Sequence, residues 1–450
     1  MGAEKETKKT VKNIIIGFGK GGKTLAKFLG QQGEEVLLVE KSAKMYGGTC
    51  INIACLPSKR LILEGAAGSD FSEAVAGKNE MTAQLREKNY QMLAQEETVT
   101  VLDGQARFIG EKEIEVTGPA GKQIFKSDRI FINTGASPVL PPVPGLKESK
   151  KRLDSTQAMD LTSLPKELLI LGAGYIGLEF AGMFANYGSQ VTVLDNSPEF
   201  LPREDDDIKA AVKADLERAG VKFILGADVE KVSDEADQVV IDYKLGEEKL
   251  TAAADKVLVA AGRRANTADL NLPAAGIETD DRGNIKVDDR LRTSADQVWA
   301  LGDVKGGPQF TYVSLDDFRI VKDQLFGEDK RRVSDRQILP TSVFITPPLS
   351  AVGLNEKAAQ KAGLDYQLFK LPVAAIPKAK VAKDSRGLFK ALVDPASGQI
   401  LGASLYGLES HELINQIALA MKAKLPYSFL RDQIYTHPTM SEAFNDLFKQ

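Results

Sequence analysis

The feature that most limits the fold of this 450-residue chain is a glycine pattern that occurs twice. The first copy, "NIIIGFGKGGKTLAKFLGQQGEEVLLVEK", places Gly17, Gly19 and Gly22 in G-x-G-x-x-G. An apolar strand, a glycine turn, an amphipathic helix and a second strand predict a βαβ unit. The absent side chains let backbone N–H groups approach a pyrophosphate at the helix N-terminus. Glu40 follows Gly17 by 23 residues, about where a carboxylate meets a ribose hydroxyl.

The second copy, "ELLILGAGYIGLEFAGMFANYGSQVTVLD", repeats the arrangement with Gly172, Gly174 and Gly177. Its second strand ends at Asp195, again 23 residues after the first glycine. A single glycine run can be no more than a tight turn, but a matched pair with equal spacing argues against that reading. We therefore expect an α/β protein with two Rossmann-like domains and two dinucleotide sites.

Charge and hydropathy exclude several classes of partner. Lys and Arg number 58 against 62 Asp and Glu, so the net charge of −4 gives no reason to expect nucleic acid or an anionic membrane. The charged start "MGAEKETKKT" has no apolar region typical of a signal peptide, and the apolar stretch 168–178 is too short to cross a bilayer. We expect a cytoplasmic protein without a membrane span, whose partners are small molecules.

Both cysteines of the chain, Cys50 and Cys55, lie in "YGGTCINIACLPSKR". A structural disulfide is one interpretation, but closing so short a loop stabilises by only about 2 kcal/mol, and cytosolic bridges seldom serve stability. Zinc is another, with His411 and His437 as further ligands, although the C-x4-C and H-x25-H spacings do not match zinc fingers. The third interpretation is a redox-active pair.

Helix geometry favours the redox interpretation. Five steps of roughly 100° place Cys50 and Cys55 about 140° apart on a regular helix, so pairing requires a distorted helix start, which the preceding glycines and Pro57 favour. A strained disulfide is readily reduced. Lys59 lies one helical turn after Cys55, where a cation near a helix N-terminus stabilises a thiolate.

Motifs along nearly the whole chain resemble the flavoprotein pyridine nucleotide-disulfide oxidoreductases. They are "GGTCINIACLPSKR", "INTGASP", "GAGYIGLEFAG", "AAGRRANT", "VWALGDV" and "YTHPTMSE". Within that family, "GFGKGGKTLA", "CINIACLPSK" and "FTYVSLDDFRIV" are most similar to the bacterial hypothiocyanous acid reductase and reactive-chlorine-resistance branch. The resemblance implies FAD, NAD(P)H and a redox disulfide.

The resemblance also assigns roles to residues. Cys50 is expected to be the interchange thiol that faces the oxidant, and Cys55 the thiol beside the flavin. Lys59 is expected near the flavin N5, paired with Glu179, and Tyr175 is expected to cover the flavin until nicotinamide displaces it. The remaining flavin positions implied are Gly48, Thr49, Ala106, Thr134, Gly135 and Asp303, the last on the ribityl chain. The remaining nicotinamide positions implied are Ile176, Gly262 and Arg263.

The C-terminal motif implies a shared active site. His437 and Glu442 are expected to form an acid–base pair in which the carboxylate orients the imidazole that serves the interchange thiol. In this family the histidine comes from the other subunit, so the resemblance implies a homodimer. His411 has no comparable motif and is expected to be structural.

The oxidant is the least determined feature. With only two cysteines, mercuric reductases and high-molecular-weight thioredoxin reductases, which need further thiols, are disfavoured. Glutathione, lipoamide, Cu²⁺ and Hg²⁺ stay open, while hypothiocyanous acid (HOSCN) needs little more than access to Cys50. A catalytically silent flavin-binding interaction protein is the alternative of another class. Asp195 predicts a bias toward NADH, which Arg203 can moderate.

The resemblance further predicts three domains. A discontinuous flavin domain is expected over 1–146 and 272–335, a nicotinamide domain over 147–271, and a dimerisation domain over 336–450. One departure is Ala54, where relatives often have glycine, and its methyl group can tighten the turn before Cys55.

Overall fold

The computed structural model describes residues 8–449, so most of the charged N-terminal segment on which we predict no signal peptide lies outside the described part. Its strands are β1 (Lys8–Ile16), β2 (Val36–Glu40), β3 (Val99–Asp103), β4 (Gln105–Gly110), β5 (Glu113–Gly118), β6 (Gly121–Ile132), β7 (Ala136–Pro138), β8 (Arg152–Leu153), β9 (Glu167–Leu171), β10 (Gln190–Asp195), β11 (Val221–Leu225), β12 (Ala227–Glu235), β13 (Gln238–Leu245), β14 (Glu248–Ala254), β15 (Lys256–Val259), β16 (Arg263–Ala265), β17 (Val298–Ala300), β18 (Thr341–Val343), β19 (Leu349–Gly353), β20 (Gln367–Pro372), β21 (Gly387–Val393) and β22 (Ile400–Gly407).

The helices lie between single strands or groups of these strands. They are α1 (Lys20–Gln31), α2 (Thr49–Asn52), α3 (Cys55–Ala66), α4 (Phe71–Ala94), α5 (Ser155–Met159), α6 (Tyr175–Tyr187), α7 (Asp206–Arg218), α8 (Thr311–Phe326), α9 (Glu356–Lys361), α10 (Pro377–Val381), α11 (Ser410–Lys422), α12 (Tyr427–Arg431) and α13 (Ala443–Leu447). Within residues 8–449, none of them is long and apolar enough to cross a bilayer.

The chain forms two compact units. Of the described residues, the first unit comprises 8–60, 75–139 and 262–335, and the second comprises 61–74, 140–261 and 336–449. Both expected βαβ units are present, β1-α1-β2 in the first unit and β9-α6-β10 in the second, which confirms the predicted fold class. The three-domain boundaries stay a prediction.

The first unit is built on a seven-stranded sheet. Strands run in the order β3-β2-β1-β6-β5-β4, and β17 also pairs with β6. The strands β3, β2, β1, β6 and β17 are parallel, as the crossover helix between β1 and β2 requires. Ile14, Ile15 and Ile16 at the end of β1 are buried on both faces. This apolar end of β1 delivers the chain to the first glycine turn.

The second unit contains one parallel and two antiparallel sheets. The parallel sheet runs β11-β10-β9-β15-β8, and a three-stranded sheet, β12-β13-β14, lies in the chain between its strands β11 and β15. The C-terminal sheet is antiparallel, in the order β18-β19-β22-β21-β20, and α11 packs on it. The segment "SVFITPPLSAVG" contributes two of its strands, β18 and β19.

Candidate active site

The two cysteines lie at a break between two helices. Gly47 and Gly48 have positive φ angles of 93° and 82°, and α2 then runs for only four residues. The chain leaves helical geometry at Ile53 (φ −141°) and re-enters it at Cys55. The break brings the thiols of Cys50 and Cys55, both half-buried, into hydrogen-bonding contact. This is the distorted helix start that the spacing predicts.

The surroundings of the thiols act on Cys50 in opposite directions. The hydrogen bond with Cys55 and burial raise the pKa of the Cys50 thiol, because both favour the neutral form. Thr311 and Lys23 lower that pKa. Thr311, the first residue of α8, has its hydroxyl oxygen 3.6 Å from the Cys55 Sγ atom. Attack on an oxidant needs the thiolate, so these two residues favour the reactive form.

Side-chain hydrogen bonds hold the backbone before the thiols. Asn52 donates to the carbonyl oxygens of Tyr46 and Gly48, both at 2.9 Å. Arg86 of α4 donates in turn to the Asn52 Oδ1 atom at 2.8 Å. A Cβ on Gly48 would lie 2.7 Å from the Gly19 Cα atom, so the thiol segment packs directly against the first glycine turn. The predicted flavin contacts of Gly48 and Thr49 stay predictions.

The first glycine turn fits a dinucleotide. Gly17 has φ 103°, and a Cβ there would lie 2.4 Å from the Asn133 carbonyl oxygen. Gly19 caps α1 without a side chain of its own, while the N–H groups of Gly21 and Gly22 in the first turn donate to the Ser314 hydroxyl (3.1 Å) and the Asn133 Oδ1 atom (2.8 Å). Buried Glu40 accepts from the Phe18 N–H at 3.0 Å, and burial raises the pKa of its carboxyl group. Gly22 packs under the turn, its Cβ position 2.6 Å from the Gly17 carbonyl oxygen.

The other predicted flavin residues belong to the same unit. Ala106 is buried on β4, and Gly135, with φ 71°, follows β6. Thr134 donates its hydroxyl to the Asn266 carbonyl oxygen at 2.9 Å. Asp303 lies in a short 3-10 turn, and burial raises the pKa of its carboxyl group although Arg263 and Lys305 oppose the shift. FAD therefore fits this unit, while the contacts expected of Glu40 with its ribose and of Asp303 with its ribityl chain stay predictions.

The second glycine turn has the same construction. Gly172 has φ 110°, and a Cβ on Gly177 would lie 1.9 Å from the Gly172 carbonyl oxygen. Gly174 caps α6 without a side-chain acceptor and has open space where a Cβ would point. The Asp195 carboxylate accepts from the N–H groups of Ala173 (2.5 Å) and Ser197 (2.7 Å). A nicotinamide dinucleotide fits this turn.

The residues around the second turn are partly accessible. Tyr175, the first residue of α6, is 39% exposed, and burial of the rest of the ring and the nearby Glu204 raise the pKa of its hydroxyl. Ile176 is half-buried. Gly262 and Arg263 belong to the first unit, where Arg263 donates to the Ala136 carbonyl oxygen. Their predicted contact with the nicotinamide stays a prediction.

The predicted acid–base pair is present within the second unit. The His437 Nδ1 atom lies 2.8 Å from Glu442 Oε2, and 69% of the His437 side chain is exposed. Buried Glu179 accepts from the Phe344 N–H at 2.9 Å, and half-buried Lys59 has its Nζ atom 3.4 Å from the Ser58 hydroxyl. The Lys59–Glu179 pair stays a prediction, because its members belong to different units.

Sequence reasoning missed Thr311 and Lys23. Thr311 carries no local signal, since it is 256 residues from Cys55. Lys23 does carry one, because it is a charged residue on the same face of α1 as buried Ala26 and Gly30, three and seven residues further along. A separate group of carboxylates, Asp205, Asp207 and Glu356, resembles a metal-binding site. The ammonium group of Lys390 lies at its centre and forms ion pairs with all three.

Comparisons with known proteins agree with this arrangement. The family model "Pyridine nucleotide-disulphide oxidoreductase" matches residues 11–317, and the model of its dimerisation domain matches 339–448. The probable pyridine nucleotide-disulfide oxidoreductase RclA of Escherichia coli is 51% identical over 97% of this chain and 98% of RclA. A mercuric reductase of Staphylococcus aureus is 32% identical over 95% of this chain and 80% of that protein.

A solved structure extends the comparison to the fold. The Cu(II) complex of the HOCl-induced flavoprotein disulfide reductase RclA from Escherichia coli has a TM-score of 0.95 and is 50% identical. The alignment covers 98% of this chain and 99% of the RclA chain.

Proposed function

The chain belongs to the pyridine nucleotide-disulphide oxidoreductase family, and on this premise we propose that it is a reductase of a small sulfur-centred oxidant, HOSCN. The observation that carries the proposal is the contact between Cys50 and Cys55, the only two cysteines of the chain. Enzymes of this family use FAD and NAD(P)H, and both glycine turns fit a dinucleotide. FAD, when bound, supplies two-electron transfer between the nicotinamide and the thiol pair.

The reaction follows from the chemistry of two adjacent thiols. The Cys50 thiolate attacks the sulfur of HOSCN, the S–O bond breaks, and hydroxide leaves and takes up a proton to become water. Cys55, after losing its proton, attacks the Cys50 sulfur of the resulting Cys50–S–SCN adduct, and thiocyanate leaves with the electron pair. Two thiols are thus oxidised to a disulfide, HOSCN is reduced to thiocyanate and water, and one proton is released. NAD(P)H supplies the two electrons that reopen the disulfide.

A homodimer completes the proposed site. The region matched by the dimerisation model exposes large apolar side chains, Leu419 (68%), Phe429 (51%) and Ile434 (91%), which a partner surface can bury. His437, 69% exposed on its own chain, is available to the thiol pair of a second copy. Glu442 orients its imidazole, which accepts and returns a proton at the interchange thiol.

We also propose a modest preference for NADH. The Asp195 carboxylate is fixed by two backbone N–H groups and keeps lone pairs for ribose hydroxyls, whereas a 2′-phosphate would meet like charge. Repulsion of about 1 to 2 kcal/mol corresponds to roughly five- to thirty-fold in kcat/KM.

A second candidate oxidant is Cu²⁺. The similar RclA has been solved as a Cu(II) complex. Two adjacent thiols are soft ligands that suit the reduced copper ion.

The test is a steady-state comparison of HOSCN, glutathione disulfide, lipoamide and Cu²⁺ with NADH and NADPH. We expect HOSCN to give the highest kcat/KM. Cys50→Ser should keep FAD and lose turnover, because nothing is left to attack the oxidant, whereas Ala54→Gly, which keeps both thiols, should stay active. Wild-type rates in Cys50→Ser would refute the thiol mechanism, and turnover of Cu²⁺ without turnover of HOSCN would replace the proposed oxidant. Failure to reduce any oxidant despite bound FAD would favour a silent flavin-binding protein.

A further inference from the structure

Lys23 is a buried lysine that the proposed reaction does not yet use. It directly follows Gly22 in α1 and is only 5% exposed. Its Nζ atom donates to the Gly47 carbonyl oxygen at 3.2 Å and to the Asn89 Oδ1 atom at 2.5 Å. Gly47 lies three residues before Cys50, so the ammonium group reaches across from the flavin-binding helix to the thiol segment.

The charge of Lys23 is solvated by these contacts but is not cancelled by them, since both acceptors are neutral oxygens. Burial and the nearby Lys20 lower the pKa of Lys23 to about 8, while Cys50 raises it. At pH 7 the ammonium form therefore still predominates, by about tenfold. A buried ammonium group is costly, and an apolar side chain of similar length would fill the same space without that cost. The burial of a charged side chain at this position therefore indicates that the charge itself has a function.

The charge of Lys23 acts on the thiol of Cys50. The hydrogen bond with Cys55 and burial raise the pKa of the Cys50 thiol, and Lys23 acts against both. Asn89, which accepts from the ammonium group, is itself held in α4, because its Nδ2 atom donates to the Leu85 carbonyl oxygen at 2.7 Å. The charge is thus fixed in place before any oxidant arrives, which is how a preorganised electrostatic environment stabilises an anion.

We propose that Lys23 is a positioning residue for the interchange thiol: its ammonium group holds the Gly47 carbonyl and stabilises negative charge on the Cys50 sulfur. The proposal rests on the proposed function, in which Cys50 is the thiol that attacks the oxidant. The proposal gives the two lysines of the site different roles. Lys23 acts on Cys50, and Lys59 is expected to act near Cys55 and the flavin.

The test measures the protonation of Cys50 directly, without turnover. In a Cys55→Ser background with FAD bound, the rate of Cys50 alkylation by iodoacetamide is followed by mass spectrometry from pH 5 to pH 10. Lys23→Met should move the midpoint of the profile to higher pH and slow alkylation at pH 7 by about tenfold, since a neighbouring cation shifts an acid by about one pKa unit or more. Lys23→Arg, which keeps the charge, should restore the midpoint.

A matched control lies one helical turn along α1. Lys27→Met removes a half-buried lysine of the same helix and should leave the profile unchanged. If Lys23→Met fails to retain FAD, Lys23→Gln, which keeps a donor for the Gly47 carbonyl, takes its place in the comparison. Identical midpoints for the charged and neutral variants would overturn the proposal and leave Lys23 as a structural tether.

The two hypotheses fail separately. Unchanged turnover in Cys50→Ser would refute the proposed function even if Lys23 shifts the Cys50 profile. A normal Cys50 requirement with no Lys23 effect would refute only the role of Lys23.

Discussion

At the scale of single residues, Thr311 is the hydroxyl that contacts the thiol pair from a distant part of the chain. Its oxygen lies 3.6 Å from Cys55 Sγ, and it lowers the pKa of the Cys50 thiol. A hydroxyl that donates to a thiolate stabilises the charged form more than the neutral form, because hydrogen bonds to ions are the stronger ones. Thr311 and Lys23 thus both favour the thiolate form of Cys50.

We expect Thr311→Val, which has nearly the same shape, to weaken this effect. Loss of a hydrogen bond to a charged group costs about 1.5 to 3 kcal/mol, so the thiolate should form at a pH about one to two units higher. The measurement is the pH dependence of the long-wavelength thiolate–flavin absorbance after anaerobic reduction with NADH. Thr311→Ser should restore the wild-type profile. Coincident profiles for the valine variant and wild type would show that the hydroxyl does not act on the thiols.

At the scale of elements, the βαβ units depend on how closely a glycine turn lets a helix approach its strand. In α6, Gly177 lies against the backbone of the turn, whereas Gly182 faces the flexible end of Leu216, with its Cβ position 3.5 Å from the Leu216 Cδ2 atom. Both glycines lie in α6, but only at Gly177 does the packing leave no room for a Cβ atom.

Gly177→Ala should therefore disrupt the nicotinamide site, because its Cβ would lie 1.9 Å from the Gly172 carbonyl oxygen and the turn would have to open. We expect KM for NADH to rise at least tenfold, while FAD is retained. Gly182→Ala is the matched control and should be neutral or stabilise by roughly 0.5 to 1 kcal/mol, since alanine is the better helix residue. Equal effects of the two substitutions would rule out a specific role of the turn.

A buried ion cluster joins three elements of the second unit. Lys390 of β21 is fully buried and donates to Asp205 and Asp207 before and in α7, both at 2.8 Å, and to Glu356 of α9. Hydrogen bonds from Lys370 and Lys390 lower the pKa of Asp207 although burial opposes the shift. In the wild type this stabilisation is present above the ordinary pKa of aspartate and is lost as the pH falls through the lowered value.

Lys390→Met should destabilise the protein by about 3 to 5 kcal/mol at pH 7, because the three carboxylates then lose the buried cation that they share, although the partly exposed Lys370 stays beside Asp207 and Glu356. This loss of stability should become smaller as the pH falls toward 4, because protonation of the carboxylates relieves their repulsion. Lys370→Met removes the other Asp207 partner, whose side chain is 43% exposed, and should cost less than about 1 kcal/mol. The measurement is the free energy of unfolding of both variants, obtained by chemical denaturation at two pH values. A loss of stability that is independent of pH would contradict the electrostatic explanation.

At the scale of the whole molecule, we propose that the active site is shared between two copies of the chain. The thiols belong to the first unit, and the His437–Glu442 pair belongs to the second. The dimerisation model covers residues 339–448, which include His437.

Complementation tests this arrangement. Cys50→Ser and His437→Ala homodimers should both be impaired, whereas heterodimers of the two should regain up to one intact site, or roughly half of the wild-type activity per dimer. Mixed subunits carrying different affinity tags allow the heterodimer to be purified and assayed with HOSCN. Verified heterodimers that stay inactive would place the acid–base pair within its own subunit.

The sequence by itself determined the two βαβ units, the fold class and the family, because these depend on local chemistry. A glycine turn needs positive φ at Gly17 and Gly172, and the apolar runs around it have the periods of strands and helices. The spacing of Cys50 and Cys55 likewise required a break in the helix, and the break is found at Ile53.

Only the tertiary structure decided which distant side chains act on the thiols and which charges are buried. Thr311 reaches Cys55 across 256 residues, Asn89 reaches Lys23 across 66, and Lys390 meets Asp205 across 185. No local pattern encodes these contacts, because they depend on which strand ends and helix starts meet after the sheets assemble. The burial that lowers the pKa of Lys23 is likewise a property of the packed unit rather than of its neighbours in the chain.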